Sequence, residues 1–361
     1  MATVTDIKKI LIAPLDWGLG HATRCIPVIK EFQKAGCTIF IAACEQQKQL
    51  MQKEFPNLYF IDIPAYNIHY SKQKRWLPLK ILQQIPKITF SIRKEHNWLQ
   101  KKIDELEIDL VVSDNRFGLY SQKVPCVFIT HQLQIKAPYK WLENIIRKKN
   151  YQFINRFTEC WIPDFAEPQN IAGNLSHPKI LPQVALKYIG ILSRFAALPA
   201  TEIKYQFLAL VSGPEPQRSV LENKILTIAE KLPGNILLLR GKPSTSEVIT
   251  APANCTILNH LPGEELLQAY TASNFVIARS GYTTVMEIMS LQKKAILIPT
   301  PGQTEQEYLA EKLMQQQRCY TFCQEEDFLS HINKAQQFNY SFPAIGAGKL
   351  EEAVNSILRR I

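Results

Sequence analysis

Two kinds of apolar pattern alternate along the chain. Short runs that are apolar throughout predict strands buried on both faces, and longer stretches with apolar residues every three or four positions predict helices. In the first half the predicted strands are 9–13, 38–43, 58–61, 110–113, 126–130 and 160–163, with helices at 21–35 and 45–54. In the second half the predicted strands are 207–211, 235–239, 256–258, 275–278 and 295–299, with helices at 218–231, 263–271, 283–291, 305–316 and 350–360. This alternation indicates parallel sheets covered by helices.

The two halves repeat one arrangement, and a length of 361 residues suits two domains better than one. We expect residues 1–189 to form one lobe, 190–204 a linker, and 205–361 a second lobe whose last helix is able to pack back on the first. The predicted fold class is α/β, with two doubly wound, Rossmann-like lobes facing a cleft. Ligands of such sheets bind beyond the carboxyl ends of the strands, so the loops there are expected to hold the chemistry.

Composition indicates an ordinary globular protein, with 46% apolar and 20% charged residues. No apolar run approaches the roughly 20 residues of a membrane span, and residues 1–9 lack an apolar signal core, so we expect a cytoplasmic protein. The eight cysteines include no Cys-x-x-Cys pair. They are therefore expected to be small buried residues in a reducing compartment, and neither a metal site nor a cofactor is predicted.

The net charge of +10 lies entirely in the first half. Residues 1–190 hold 26 Lys and Arg against 16 Asp and Glu, whereas the rest hold 16 of each. Residues 71–102 interleave lysines and arginines with Trp76, Phe90 and Trp98, a pattern typical of a surface that lies on anionic lipid. Two helices with buried apolar faces and solvated lysines are the alternative. Binding of nucleic acid is a third possibility, but the sequence contains no recognisable nucleic-acid-binding module, so we expect no nucleic-acid partner.

Residues 278–287 (ARSGYTTVME) form the most informative loop. It runs from a predicted strand into a helix whose first turn contains Thr283 and Thr284, and such a helix start binds phosphate through its N–H groups and dipole. Glu287 follows one turn later and is suited to accept two sugar hydroxyls; the alternative is a capping box with Thr284 as the cap. A second polar loop, residues 299–307 (PTPGQTEQE), follows the next strand, with a solvated turn as its alternative. Together the loops favour an anionic, hydroxyl-rich ligand such as a nucleotide sugar.

Residues 278–287 and 299–310 resemble the C-terminal signature of glycosyltransferase family 28. The resemblance implies the GT-B fold, with the donor bound mainly by the C-terminal lobe and the acceptor by the N-terminal lobe. That family includes a bacterial N-acetylglucosaminyltransferase that completes a lipid-linked peptidoglycan precursor. The implied function is transfer of a sugar, N-acetylglucosamine from its UDP donor, to a glycolipid or lipid-linked acceptor. The implied location is the inner face of the cell membrane, with the basic N-lobe as the membrane contact.

The resemblance also implies donor-binding positions. They are Arg194, Ser212, Gly213, Leu261, Arg279, Ser280, Gly281, Thr283, Thr284, Glu287, Gln306 and Glu307. Glu287 matches the glutamate that binds the ribose hydroxyls, and Leu261 the position whose backbone reads the base. Arg194 aligns with an arginine that binds the donor phosphates; on physical grounds the alternative for an isolated linker arginine is a surface charge.

Two of these positions depart from the family pattern. Gln306 matches a glutamine that contacts the donor sugar, but Glu307 stands where the family has a second glutamine, which leaves the transferred sugar open. The turn at 212–216 (SGPEP) stands where the family has a Gly-Gly-Ser phosphate turn. Because its prolines lack N–H donors, we expect fewer backbone contacts to phosphate there.

The N-terminal loop DWGLGHATR contains Gly18, Gly20 and His21. A Gly-x-Gly turn alone would suit any dinucleotide, but no acidic residue ends the next strand as a nicotinamide site requires. The loop resembles the family's Gly-rich turn on the acceptor side, and His21 is a candidate general base because an imidazole titrates near neutral pH. Its alternative is helix capping or donation to a backbone carbonyl. Asp114 is its candidate partner and His131 an acceptor-side residue, with loop capping as the alternative for both.

Metal-dependent glycosyltransferases hold their ion with an Asp-x-Asp motif, which this sequence lacks. We therefore expect helix dipoles and Arg194 to stabilise the leaving group. Two other functions share part of the pattern. A nucleotide-sugar hydrolase or epimerase would keep the donor features without the basic surface, and a non-catalytic membrane- or nucleic-acid-binding protein would keep only the basic surface.

Overall fold

The structure is a computed structural model that describes residues 7–66, 77–195, 201–243, 245–342 and 348–361. It divides into two compact units, Met1–Leu192 with Gly346–Ile361, and Ser193–Ile345. Each unit contains one parallel sheet. None of the described helices is long and apolar enough to cross a membrane.

The first unit is built on a seven-stranded sheet. Its strands are β1 (Lys9–Pro14), β2 (Thr38–Ala43), β3 (Tyr59–Asp62), β4 (Leu110–Asp114), β5 (Cys126–Ile129), β6 (Glu159–Ile162) and β7 (Ala185–Tyr188), in the order β3-β2-β1-β4-β5-β6-β7. Its helices are α1 (Leu19–Lys34), α2 (Glu45–Glu54), α3 (Leu77–Leu106), α4 (Lys140–Ile154) and, from the end of the chain, α10 (Leu350–Leu358). The central strands β1, β4 and β5 are almost wholly buried, which explains why they are apolar throughout.

The second unit is built on a six-stranded parallel sheet. Its strands are β8 (Tyr205–Leu210), β9 (Ile236–Leu239), β10 (Cys255–Leu258), β11 (Ser273–Ala278), β12 (Lys294–Leu297) and β13 (Tyr320–Thr321), in the order β10-β9-β8-β11-β12-β13. Its helices are α5 (Gln217–Ile228), α6 (Gly263–Thr271), α7 (Tyr282–Ser290), α8 (Thr304–Gln315) and α9 (Phe328–Gln336). The sheet places the loops after β8, β11 and β12 side by side at one edge, because these strands are adjacent and parallel.

The prediction of doubly wound, parallel α/β sheets is confirmed, and the predicted strands agree with the structure to within about two residues. The sequence reading missed the edge strands β7 and β13 and the helices α4 and α9. Of the basic stretch 71–102, residues 71–76 and the side chains of 77–86 lie outside the described part. Residues 196–200 of the predicted linker also lie outside it.

The C-terminal helix α10 belongs to the first unit, and polar contacts join it to the sheet of that unit. Lys187 Nζ on β7 donates to Ser356 Oγ at 2.9 Å. The wholly buried carboxylate of Glu159 pairs with Lys187 Nζ at 2.9 Å and with Arg360 Nη2 at 3.1 Å. Helix α10 also lies against α1 of the same unit.

Candidate active site

The first candidate site lies where β1 and β4 end. The parallel register pairs Pro14 with Asp114, so the turn into α1 and the end of β4 meet at one edge of the sheet. Helix α1 has Gly18 as its N-cap, with φ of +87°, a backbone conformation that glycine adopts without strain. The cap residue has no side chain and no side-chain hydrogen bond caps this end of the helix, and His21 follows in the first turn.

The side chains of His21, Asp114 and Arg24 form one hydrogen-bonded cluster. Nδ1 of His21 lies 2.8 Å from Oδ2 of Asp114, whose side chain is wholly buried. Nε of Arg24 donates to Oδ1 of Asp114 at 2.8 Å, and Nη2 donates to the same oxygen. Nη1 of Arg24 reaches Nδ1 of His131 at 3.4 Å. The structure therefore brings together the three predicted residues His21, Asp114 and His131, with Arg24 between them.

The electrostatics of this cluster keep His21 neutral and Asp114 charged. Burial lowers the pKa of His21 below its ordinary value and the charge of Arg24 lowers it further, while Asp114 opposes both. Burial alone would raise the pKa of Asp114, but Arg24 and His21 outweigh that effect and hold it below its ordinary value. A neutral imidazole hydrogen-bonded to a carboxylate is the arrangement that a general base requires.

Buried polar contacts hold the loop before α1 in place. Nε2 of Gln47 donates to the carbonyl oxygens of Leu15 and Gly18, the latter at 3.2 Å. The carboxylate of Asp16 accepts from the backbone N–H of Tyr66 at 2.9 Å. These contacts fix the path of the loop that leads into α1, and with it the place at which His21 enters the helix.

The second candidate site, in the second unit, centres on Glu287 of α7. Nε of Arg194 donates to Oε1 of Glu287 at 2.8 Å, and the hydroxyl of Tyr270 donates to Oε2 at 3.3 Å. The N-cap of α7 is Gly281, and Thr284 lies inside the helix, so the capping-box alternative is wrong. Arg194 is 12% exposed and lies over the Phe195 ring, so it is not a free surface charge.

The carboxyl group of Glu287 is nearly buried, which determines its titration. Burial raises its pKa above the ordinary value, and the charge and hydrogen bond of Arg194, together with the hydroxyl of Tyr270, oppose that rise. Each oxygen of an ionised carboxylate has two acceptor positions. Glu287 can therefore accept further hydroxyl groups while Arg194 and Tyr270 remain bound.

Hydrogen bonds join the two predicted donor loops. Oγ of Ser280 donates to the carbonyl oxygen of Gln306 at 2.8 Å. Oε1 of Gln306 accepts from the N–H of Thr300 at 2.9 Å, and Oε1 of Glu307 accepts from the N–H of Gly302 at 2.9 Å. Ser280, Gln306 and Glu307 thus lie together. Glu307, which departs from the family pattern, accepts a hydrogen bond from Gly302 within its own loop.

Arg279 has a buried guanidinium whose contacts are with backbone and amide oxygens. Nη1 donates to the carbonyl oxygens of Ile298 and Pro299, each at 3.2 Å. Nη2 donates to the carbonyl oxygen of Gln217 at 2.7 Å and to Oε1 of Gln324. Burial lowers its pKa to about 10. Arg279 therefore ties the loop after β11 to the loop after β12, to the start of α5 and to the segment after β13.

The remaining predicted positions are placed as follows. Thr283 and Thr284 lie in the first turn of α7, directly after its N-cap Gly281. Ser212 and Gly213 are exposed in the turn between β8 and α5, and Leu261 is half-buried between β10 and α6. Within the described ranges, no group of three or more His, Cys, Asp or Glu side chains could hold a metal ion.

Sequence reasoning missed two residues of these clusters, Arg24 and Tyr270. Arg24 follows His21 by three positions on α1, the spacing at which side chains share a helix face, and that spacing was the available signal. Tyr270 is wholly buried at the end of α6, and its contact with Glu287 connects two helices that sequence spacing does not relate.

Comparison with known proteins adds independent information. Residues 254–336 match the model of the glycosyltransferase family 28 C-terminal domain. An uncharacterized glycosyltransferase of Methanosarcina acetivorans is 27% identical over 325 residues, which cover 83% of this chain and 81% of that protein. The UDP-N-acetylglucosamine–N-acetylmuramyl-(pentapeptide) pyrophosphoryl-undecaprenol N-acetylglucosamine transferase of Actinobacillus pleuropneumoniae is 24% identical over 316 residues, 84% of this chain and 81% of that protein.

Solved structures resemble the chain over nearly its whole length. The glycotransferase of kitacinnamycin superposes with a TM-score of 0.64 at 13% identity, covering 98% of this chain and 96% of that one. MurG of Acinetobacter baumannii superposes with a TM-score of 0.57 at 15% identity, covering 99% and 100%. The fold is therefore that of the GT-B glycosyltransferases. Within the second unit, residues 254–336 match the family 28 C-terminal domain, the family that the loops at 278–287 and 299–310 resemble.

Proposed function

We propose that this chain is an inverting, metal-independent glycosyltransferase that moves N-acetylglucosamine from UDP-N-acetylglucosamine to a membrane-associated glycolipid or lipid-linked acceptor. The observation that carries the proposal is the 2.8 Å contact between Nδ1 of His21 and the buried carboxylate of Asp114. It supplies a base–carboxylate pair in a chain whose other unit matches the glycosyltransferase family 28 C-terminal domain over residues 254–336.

In the proposed reaction Nε2 of His21 takes the proton of an acceptor hydroxyl. The acceptor oxygen forms a bond to the anomeric carbon from the face opposite the diphosphate, and the bond from that carbon to the diphosphate oxygen breaks. The electron pair of the broken bond leaves on UDP, so the configuration of the sugar inverts. Asp114 stabilises the imidazolium that forms, because its carboxylate stays ionised beside Nδ1–H.

On the donor side, the first turn of α7 with Thr283 and Thr284 is assigned to the diphosphate. Positive helix ends and Arg194 would stabilise the charge that develops on the leaving group. Glu287 is assigned to the ribose hydroxyls, and Gln306 to the sugar. The choice of UDP-N-acetylglucosamine is supported by the Actinobacillus relative, which is named for that donor. Glu307, which stands where the family has a second glutamine, is the position at which the choice of sugar would differ.

A basic and aromatic face of α4 supports the membrane part of the proposal. Trp141 and Ile145 are exposed by 57% and 53% and lie one turn apart, with Lys148 and Lys149 exposed on the next turn. Tyr139 stacks on Trp141 with ring centroids 6.3 Å apart. Aromatic anchors flanked by lysines suit the interface of an anionic bilayer, which supports a peripheral location on the cytoplasmic face of the cell membrane.

The direct test is calorimetric binding of a panel of nucleotide sugars to the full chain, followed by transfer to a membrane lipid extract. We expect saturable binding of UDP-N-acetylglucosamine and a labelled lipid product. Release of free sugar without acceptor, at the same rate as product forms with it, would instead indicate a nucleotide-sugar hydrolase. Absence of binding by every sugar nucleotide, with folded protein, would exclude the proposal.

A further inference from the structure

Arg24 occupies one side of the carboxylate on which His21 depends. Its Nε and Nη2 both donate to Oδ1 of Asp114, whereas Nδ1 of His21 lies at Oδ2. Arg24 is only 2% exposed, so water does not compete for these contacts. Each oxygen of Asp114 thus has a separate partner, and the guanidinium cannot rotate away without leaving a buried charge unpaired.

The short distances within this cluster restrict the proton on His21. Nη2 of Arg24 also lies 2.8 Å from Nδ1 of His21, so Nδ1 has a carboxylate oxygen and a guanidinium nitrogen as neighbours at the same distance. If Nδ1 accepted from Arg24, its lone pair would face the ionised Oδ2 with no proton between them. If Nδ1 of His21 carries the proton, it donates to Oδ2 of Asp114. Nη2 of Arg24 then donates to Oδ1 of Asp114, which lies nearer to Nη2 than Nδ1 of His21 does. The second arrangement satisfies every buried acceptor.

We propose that Arg24 is a positioning residue that selects the base-competent tautomer of His21: by occupying Oδ1 of Asp114 it leaves Oδ2 to accept Nδ1–H, so that the lone pair stays on Nε2. The inference rests on the proposed function only in assigning His21 as the base. The tautomer itself is a property of the protein without substrates.

The same placement keeps His21 uncharged before the reaction. The titratable and charged groups that face its ring are Asp114 at the end of β4, Arg24 on α1 and His131 after β5. Arg24 and His131 both lower the pKa of His21, and Asp114 raises it. Arg24 therefore offsets the effect of the carboxylate, so that Asp114 can orient the imidazole without holding it protonated.

Nitrogen-15 NMR of the full chain labelled at its seven histidines tests this directly. The His21 signals are assigned by their loss in the His21→Gln variant. In the wild-type protein above its transition, we expect a protonated Nδ1 and an unprotonated Nε2, with a midpoint below about 6.5. In Arg24→Met we expect the midpoint to rise by about 1–2 pH units, because a neighbouring positive charge is lost.

Two further variants separate charge from geometry and control for folding. Arg24→Lys keeps the positive charge but not the two N–H groups of the guanidinium that donate together to Oδ1 of Asp114. The titration midpoint of His21 in this variant should therefore stay near the wild-type value, while both His21 tautomers are populated. Lys30→Met, which removes an exposed cation from the same helix, should leave the His21 signals unchanged. A wild-type His21 with the proton on Nε2, or a folded Arg24→Met with an unchanged midpoint, would overturn the inference.

Transfer activity separates this outcome from the proposed function. If His21→Gln binds UDP-N-acetylglucosamine and still transfers sugar at the wild-type rate, the assignment of the base is wrong even where the NMR result stands. If His21→Gln loses transfer while Arg24→Met shows neither the shift nor a tautomer change, the base stands and the positioning role of Arg24 fails. Should Arg24→Met not fold, Arg24→Lys decides: a single Nδ1–H tautomer of His21 in that folded variant would overturn the positioning role of Arg24.

Discussion

Replacing Arg194 by methionine removes the cation that faces Glu287. Nε of Arg194 lies 2.8 Å from Oε1, and the Glu287 side chain is 7% exposed, so the substitution leaves a nearly buried carboxylate with Tyr270 as its remaining hydrogen-bond donor among the contacts described above. Removing one partner of a buried ion pair typically costs 3–5 kcal/mol. Since Arg194 itself is 12% exposed and water can enter its place, we expect the lower end, about 3 kcal/mol.

The loss should depend on pH in a defined direction. The pKa of Glu287 is already raised by burial, and removal of Arg194 raises it further. At a pH between the pKa of Glu287 in the unfolded chain and its raised pKa in the folded variant, the folded variant binds a proton that the unfolded chain does not. The variant is therefore more stable at low pH, and its stability falls as the pH rises. The destabilisation should therefore be larger at pH 8 than at pH 5.

Thermal unfolding and calorimetric binding of UDP give the assay. A loss of about 3 kcal/mol corresponds to a fall in Tm of about 6–12 °C for a unit of this size. UDP affinity should also fall, because Arg194 is assigned to the diphosphate. The matched control is Lys187→Met, which removes a cation from the buried carboxylate of Glu159 in the first unit and should leave UDP binding unchanged. An Arg194→Met variant with wild-type stability at pH 8 and wild-type UDP affinity would refute both the energetics and the donor role.

Three further predictions follow from the same contacts. Arg279→Met removes the guanidinium that donates to the buried carbonyl oxygens of Ile298 and Pro299 and to the half-buried carbonyl oxygen of Gln217, so we expect a loss of about 2–4 kcal/mol in urea unfolding and weaker UDP binding. Unchanged urea midpoints would contradict the role of Arg279 in holding these loops together. Acid should destabilise the first unit in two steps. As the pH falls below about 6.5, His21 is protonated in the unfolded chain before it is protonated in the fold, where its pKa is lower. As the pH falls below about 3.9, the stabilising charge of Asp114 is progressively lost. An Asp114→Asn variant whose pH–stability curve matches the wild type would argue against the second step. The double variant Trp141→Ser, Ile145→Ser should keep its Tm, since both side chains are exposed, yet bind anionic vesicles at least about tenfold more weakly; equal sedimentation with the vesicles would remove α4 from the membrane contact.

The pairing of His21 with Asp114 was predictable because both residues follow strands of one parallel sheet, and the carboxyl ends of such strands share an edge. Arg24 was not identified, because the sequence pattern alone predicts that a basic residue on an amphipathic helix is solvated. Its contact with Asp114 depends on the register of β1 and β4, which places the end of β4 beside the start of α1. Arg194 was named through the family resemblance, but its contact with Glu287, 93 positions away, was not predicted.

Elements were missed for a related reason. Strand β13 has only two residues, and β7 has no fully buried position, so neither shows the apolar run that marked the central strands. Helix α10 was placed correctly along the chain, but its membership of the first unit depends on contacts such as Lys187 with Ser356, between positions that local patterns do not connect.

The measurement that tests the central claim most directly is single-turnover sugar transfer by the wild type and by His21→Gln at saturating UDP-N-acetylglucosamine, with donor affinity measured in parallel. We expect equal donor affinity, and a transfer rate about 10²–10⁴-fold lower in the variant, because only the proton transfer from the acceptor is lost. Equal transfer rates in the two proteins would contradict the assignment of His21 as the base, and failure of the folded wild type to bind the donor would contradict the account as a whole.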